Sequence, residues 1–249
     1  MREIEANTYS IVGRCSNSGE LGAAVASAVP AVGAICLYIR PGIGAVSTQS
    51  WVNPYLAGAI LDRIEAGDEA EKALADVLAG DPASAVRQVG VIGHGGPGAS
   101  WTGADCTAWC GHLEGTDFAA QGNMLTGAEV IEAMARAFTT APALPLEERL
   151  MRALEAAQEQ GGDKRGRQSA ALMVYGNEDY ARVDLRVDEH SHPVTELRRV
   201  LKVATAQLAP FVAGMPRKGI DATPAPDAVV EMLLRSPPDR PAGGGSREP

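Results

Sequence analysis

Residues 8–27 read TYSIVGRCSNSGELGAAVAS, and this stretch limits the fold more than any other. An alternating run, Thr8 to Arg14, leads into the polar cluster Ser16-Asn17-Ser18-Gly19, and a second run, Glu20 to Ser27, leads out of it. Period-two alternation on both sides of a turn cluster predicts a β-hairpin. Thr8 sits at the outer edge of that hairpin, with residues 1–7 before it. Two readings of Thr8 are open. Thr is a good strand former. Alternatively, a cut after Asn7 would make Thr8 the first residue of the working chain.

The strand pattern continues through Ala34–Arg40 and Ile43–Thr48, broken at Pro41-Gly42. Asn53-Pro54 opens a helix whose apolar face is Leu56, Ile60, Leu61 and Ile64, and Gly67 ends it. Asp68 is placed to cap a second helix with Ala70, Leu74, Val77 and Leu78 as its stripe. Strands are expected at Gln88–Ile92, Ser100–Gly103 and Phe118–Met124. The capping-box pattern Thr126-Gly-Ala-Glu129 predicts a helix through Ile131, Met134 and Phe138. Leu146–Gln160 and Pro193–Leu208 repeat at helical spacing, and Ser169–Tyr175 and Arg182–Val187 between them read as strands. Strands in antiparallel sets with paired helices between them predict a layered α+β protein, two sheets sandwiched between two helix layers. The main domain spans residues 8–210, after an N-terminal extension of residues 1–7. Residues 211–249, ending PPDRPAGGGSREP, are too poor in apolar residues to build a core and are expected to form a flexible tail with one short helix at Ala228–Arg235.

With 45% hydrophobic residues but only 4% aromatics, the core must be filled by Ala, Val, Leu and Ile. A net charge of −9 argues against a nucleic-acid partner. The basic residues Lys164, Arg165 and Arg167 make only a short patch beside Asp163. Residues 21–39 carry no charge, but Pro30 and the many Ala and Gly read as two buried strands around a bend rather than a membrane span. The opening MREIEANTYS lacks the basic start and apolar stretch of a secretion signal, so Cys15, Cys36, Cys106 and Cys110 are expected as reduced thiols in the cytoplasm.

The segments TYSIVGRC, GIGAVSTQSWVNP, RQVGVI, WTGADCTAWCGH, QGNMLTG, GGDKRGRQSAAL and DLRVDEHSHPVTELRR together resemble a bacterial family catalogued as domain of unknown function 1028, over roughly residues 8–205. The resemblance implies the fold of the N-terminal nucleophile (Ntn) hydrolases, a four-layer αββα sandwich, in agreement with the layered reading. It implies no particular substrate. In that fold the nucleophile is the first residue of the mature chain on the first strand, which here is Thr8. A hydroxyl is a poor nucleophile without a base. A free α-amine, with a reference pKa of about 7.7–8.0, serves as that base without help from an imidazole. Family members commonly begin with Met followed directly by this Thr. Here Arg2 to Asn7 intervene, so residues 1–7 read as a propeptide and Asn7–Thr8 as the bond to be cut.

Around Thr8 the sequence offers helpers. Arg40 is the only cation on the early strands after Arg14, and it would stabilise an oxyanion or lower the amine pKa. Asn123 is a candidate oxyanion donor. Gln121, in the same QGN run, can donate to and accept from an amide. Ser27, Trp109, His112, Arg167 and Gln168 are the remaining substrate-binding candidates, Arg167 for a carboxylate. Cys106, Cys110 and His112 offer an alternative thiol or zinc site, with a spacing that matches no strong zinc pattern. Asp184, Asp188 and His190 read as solvated groups near a strand end. The expected activity is hydrolysis of an amide, imide or ureide-like C–N bond in a small molecule, without cofactor or metal, in a homodimer. The alternative is a non-catalytic ligand-binding or assembly protein that keeps the sandwich with Thr8 uncut.

Overall fold

The structure is a computed structural model that describes residues 8–234. The first two strands, β1 (Thr8–Arg14) and β2 (Leu21–Ser27), form the expected hairpin, with Thr8 opposite Ser27 and Arg14 opposite Leu21. A short helix α1 (Gly33–Cys36) follows, then β3 (Leu37–Arg40), β4 (Gly44–Ser50), α2 (Pro54–Glu65), α3 (Ala70–Ala79), β5 (Arg87–Gly93), β6 (Ala99–Thr102), β7 (Gly111–Gly115) and β8 (Phe118–Asn123). The chain continues through α4 (Glu129–Thr140), α5 (Leu146–Glu159), β9 (Ser169–Tyr175), β10 (Val183–Val187) and α6 (Pro193–Gln207).

The strands form two antiparallel sheets, one ordered β10-β9-β2-β1-β8-β7 and the other β3-β4-β5-β6. Every residue of β1 and β2 is buried because the hairpin occupies the middle of the larger sheet. Helices α4 and α5 cover its outer face, α2 and α3 cover the outer face of the smaller sheet, and the inner faces meet. This is the four-layer αββα sandwich. Alternate residues of β1 face different layers. The Tyr9 hydroxyl donates to Gln158 of α5 across 3.2 Å. Val12 packs between the sheets with Val25, Ala45 and Ile92. Gly22 on β2 allows α5 its close approach, since a Cβ there would lie 2.6 Å from Leu150 Cδ1 and 3.0 Å from the Met173 carbonyl.

Four local expectations change. Residues 34–40 are not one strand: Ala31 adopts a φ of 51° and the turn that follows closes the short α1, leaving only β3 extended. Asp68 does not cap α3; Glu69 takes that position, and the Asp68 carboxylate pairs with Arg63 and Lys72 instead. The Thr126 capping box does not form either: α4 starts at Glu129, and the Thr126 hydroxyl donates to the Gln160 carbonyl at 3.0 Å. Strand β7 is not among the expected strands: its residues alternate half-buried and exposed, but Leu113 is its one strongly apolar side chain. By contrast, α2 opens at Asn53-Pro54 as expected, and Asn53 also caps it, its side chain accepting from Tyr55 N at 3.1 Å.

Contacts divide the chain after Leu201. The second unit holds the last turns of α6, α7 (Ala209–Ala213) and α8 (Asp227–Leu233), which falls where a helix was expected at 228–235. The N-terminal extension and the last residues of the expected tail lie outside the described residues. Among the described residues, no helix is long and apolar enough to cross a membrane.

Candidate functional site at the start of the first strand

Thr8 opens β1 between two cross-strand partners, Ser27 on β2 and Asn123 on β8. Thr8 is 2% exposed, and its hydroxyl lies 3.1 Å from that of Ser27, its only side-chain partner among the described residues. One aliphatic hydroxyl is too weak a base to activate another, so Ser27 orients Thr8 Oγ1 without activating it. Asn123 donates Nδ2 to Gln88 Oε1 at 2.8 Å, while its buried Oδ1 has no hydrogen-bond partner. A bare buried acceptor costs about 1–3 kcal/mol, so this one calls for an explanation. The strands beside Thr8 also end under strain. Ser50 closes β4 at φ 64°, and Met124 follows β8 at φ 50°. Non-glycine residues held there cost on the order of 1–3 kcal/mol each, and such positions gather at functional sites.

From Thr8 a buried polar network runs between the sheets. Gln49 Nε2 donates to the Thr8 carbonyl at 3.3 Å and to Gln88 Oε1 at 2.8 Å. Gln88 Nε2 donates to the Gly122 carbonyl at 2.8 Å and to Thr102 Oγ1 at 2.9 Å, and Thr102 Oγ1 lies 2.9 Å from His112 Nδ1. Ser10 Oγ donates to Gln49 Oε1 at 2.7 Å and accepts from Gln121 Nε2 at 2.6 Å. Its one proton is then used, so Ser47 must donate to it across their 2.8 Å contact. Only glycine at position 90 leaves space for this layer, because a Cβ there would sit 2.0 Å from Gln121 Oε1.

Three loops converge on the same end. The Thr107 and Trp109 carbonyls accept from Met124 N and Leu125 N, both at 2.9 Å. Lys164 N donates to the Met124 carbonyl at 3.3 Å, and Gln168 N donates to the Ser27 carbonyl at 2.8 Å. The buried Asp163 carboxylate holds the segment, accepting from Ala28 N at 3.0 Å and from Arg165 N at 2.9 Å. Residues 163–168 are thus tied to the strand ends on both sides of Thr8. Tyr9, facing the opposite way, is fully buried, and burial pushes its phenol well above the ordinary range, with the Asp163 charge adding to the rise.

The structure therefore brings together Thr8, Ser27, Asn123 and Gln168, with Trp109 held next to them through Leu125. It does not bring Arg40. That residue pairs with Gly44 at the far end of β4 and is bound to Asp62 at 2.8 Å and Glu65 at 2.5 Å. Gln49, beside Thr8, lies five residues further along β4, about 17 Å at the strand rise of about 3.3–3.4 Å per residue. Gln121 is wholly buried and held by Ser10 inside the sandwich, away from any ligand surface. His112 is exposed at the rim and reaches Thr8 only through Thr102, Gln88 and Gln49 or Asn123. Arg167 is exposed on the loop that crosses the site.

The thiols go elsewhere. Cys106 Sγ donates to the Arg87 carbonyl at 3.3 Å and Cys110 Sγ to the Cys106 carbonyl at 3.4 Å, while His112 meets Thr102. Burial pushes both thiols up, which keeps them protonated and poor as nucleophiles. Among the described residues no cluster of three His, Cys, Asp or Glu side chains is placed to hold a metal. A separate groove of about 640 Å³ opens between α3 and β6, lined by Glu71, Leu74, Ser100, Trp101 and Glu114, and contains none of the expected site residues. Asp188 pairs with Arg186.

Sequence reasoning missed Ser10, Ser47, Gln49, Gln88 and Thr102. A signal was present: Thr8 and Ser10, Ser47 and Gln49, and Gln121 and Asn123 occupy alternate positions, and so one face, of their strands. Polar side chains repeated on one face of a buried strand need partners.

Two antiparallel sheets face to face between two helix layers, with a hydroxyl residue opening a central strand, define the Ntn-hydrolase-like class of fold. Within that class the chain belongs to the Family of unknown function (DUF1028), whose model matches residues 8–197. The solved protein SPO2555 from Silicibacter pomeroyi, of the same family, is 29% identical, covers 85% of this chain and 92% of its own, and superposes with a TM-score of 0.78. Anbu (ancestral beta-subunit) from Yersinia bercovieri is 13% identical, covering 85% of this chain and 100% of its own at a TM-score of 0.38. An Anbu (Gly-1) mutant from Hyphomicrobium sp. strain MC1 is 12% identical, covering 86% and 100% at 0.40. No curated protein matches the chain.

Proposed function

We propose that the protein is an Ntn-type amidohydrolase acting on an amide, imide or ureide-like C–N bond of a small molecule, with Thr8 as nucleophile once Asn7–Thr8 is cut. In the intact chain Thr8 is buried and its nitrogen is a peptide nitrogen, so it has neither access to substrate nor a base. Cleavage would free the α-amine. Thr8 Oγ1 would then attack the carbonyl carbon while the amine takes the hydroxyl proton. The tetrahedral intermediate collapses as that proton passes to the departing nitrogen, leaving an acyl ester on Thr8, which water hydrolyses. Asn123 spends one N–H on Gln88 and keeps the other for the oxyanion. Trp109 shields the site. Arg40 has no part in this mechanism.

The observation that carries the reading is the placement of Thr8 itself. It opens a central strand between Ser27 and Asn123, and its hydroxyl meets no imidazole or carboxylate among the described residues. A nucleophile so placed needs its own amine. The working unit is taken as residues 8–210, a homodimer in the cytoplasm, where the four free cysteines stay reduced.

Intact-mass measurement tests the reading. Purified wild type is expected to lose residues 1–7, by autoprocessing or by a protease, and Thr8→Ala is expected to release no ammonia from any amide. A wild-type chain that never shortens, or ammonia release retained in Thr8→Ala, rejects the nucleophile. The first result favours a binding protein that keeps Thr8 uncut.

A further inference from the structure

Among the cations described within residues 8–201, every Lys and Arg is ion-paired with a carboxylate except Arg149, Lys164 and Arg167. Arg149 has a place of its own: it is buried, stacked 4.0 Å from the centre of the Phe138 ring and bonded to the Phe138 carbonyl. Lys164 and Arg167 have no such account. In a chain with a net charge of −9, carboxylates are plentiful, and a surface cation left without one is the exception. Both exceptions stand on one loop.

That loop is built. Its start is fixed by Lys164 N on the Met124 carbonyl and its end by Gln168 N on the Ser27 carbonyl. Met124 follows Asn123, and Asn123 and Ser27 flank Thr8 on either side. Residues 164–167 must therefore cross the end of β1, over the approach to Thr8. The one acid in the segment, Asp163, is turned inward, holding Ala28 N, Arg165 N and the Arg165 guanidinium. Lys164 Nζ reaches the Ala108 carbonyl at 2.7 Å, next to Trp109, which leaves it two further N–H donors. The Arg167 guanidinium is exposed. A planar guanidinium and an ammonium on one loop suit a carboxylate, which the guanidinium can meet with two parallel bonds.

We propose that Lys164 and Arg167 form a carboxylate-binding subsite beside Thr8, so that the substrate is an amide carrying a free carboxylate. This rests on Thr8 being the nucleophile. Arg167 binds the carboxylate directly, and Lys164 adds a second charge-assisted contact from the Ala108 side. Neutral amides of the same length lack both contacts.

The test pairs succinamate and glutaramate with their neutral diamides, succinamide and glutaramide. Binding is read by calorimetry and turnover by ammonia release, in wild type, Arg167→Ala, Arg167→Lys and Lys164→Ala. Both positions are exposed, and unchanged melting temperatures will establish that the variants fold. At least one monoanion is expected to bind about tenfold or more tightly than its diamide, the scale of one charge-assisted bond. Arg167→Ala should erase that preference, Lys164→Ala should reduce it, and Arg167→Lys should restore part of it. Equal binding of anion and diamide in both pairs overturns the subsite, as does a preference that survives Arg167→Ala. Inorganic phosphate binding as tightly as either monoanion marks a general anion site and also overturns it. Selective binding that persists in a protein releasing no ammonia rejects Thr8 as nucleophile and spares the subsite. Ammonia release without charge preference does the reverse.

Discussion

Gln88 is the side chain around which the inter-sheet network turns. Its Oε1 accepts from both Gln49 and Asn123, and its Nε2 ties β5 to β8. Gln88→Ala leaves the buried Asn123 Nδ2 without its acceptor and Gln49 Nε2 with only its longer bonds to the Thr8 and Gln121 carbonyls. Each bare group costs about 1–3 kcal/mol, and for a domain of this size 1 kcal/mol moves Tm by about 2–4 °C. Thermal unfolding of Gln88→Ala is therefore expected at least about 5 °C below wild type; an unchanged Tm would mean that the network carries no stability. Asn123 belongs to the same network but faces Thr8, so Asn123→Ala should act on rate. Loss of one oxyanion donor is expected to slow ammonia release on the order of a hundredfold, chiefly in kcat. A change confined to KM would remove the oxyanion role.

Elements are joined by fewer, more exposed contacts. Arg198 near the start of α6 grips Glu148 and Glu155 of α5, and Arg152 also bonds Glu148. Burial raises the Glu148 carboxyl, but the hydrogen bonds from Arg198 and Arg152 outweigh it and hold the group below its ordinary range. A carboxyl depressed in the folded state stabilises the fold above its unfolded pKa, about 4.3, and that contribution is lost as pH falls through the lower folded value. Between pH 7 and pH 3 the Tm of wild type should thus fall more than that of Glu148→Gln; parallel curves would show that the pair is inert. At the hairpin, Gly22→Ala drives a methyl into Leu150 and the Met173 carbonyl. The expected loss is about 1–3 kcal/mol, read as a lower denaturation midpoint.

At the scale of the whole molecule the space between the sheets is divided. Val12, Val25, Ala45, Ile92 and Ala119 make one part of it dry, while Thr8, Ser10, Ser47, Gln49, Gln88, Gln121 and Asn123 fill another with hydrogen bonds. The polar part costs desolvation, and its members lead to the one strand end where Ser27, Asn123 and the loop of residues 163–168 meet. The final segment, RSPPDRPAGGGSREP, carries one hydrophobic residue, Ala242, and so offers the fold little apolar surface to bury. A chain ending at residue 236 should melt within about 2 °C of full length, given that 1 kcal/mol corresponds to about 2–4 °C; a larger drop would show that the segment contributes to the fold.

The hairpin at residues 8–27, the apolar faces of α2 and α3, the start of α2 at Asn53-Pro54 and the layered α+β class were all legible in the sequence. Each depends on neighbours two to four positions apart, or on the count of strands and helices between turns. Motifs with the right letters still failed where another group competed: Asp68 was taken by its near neighbours Arg63 and Lys72, and Thr126 by the remote Gln160 carbonyl. The sequence also singled out Thr8, Asn123 and the cations around residue 165, without saying which of them would meet. That was decided by register. The pairing of β3 with β4 sends Arg40 to Asp62 and Glu65, while Gln49 at the other end of β4 comes to Thr8. Gln88 and Ser10 became central only when two sheets distant in sequence were laid face to face. Side chains alternate along a strand by local geometry, but which strand they meet across the gap is set by how the whole sandwich packs.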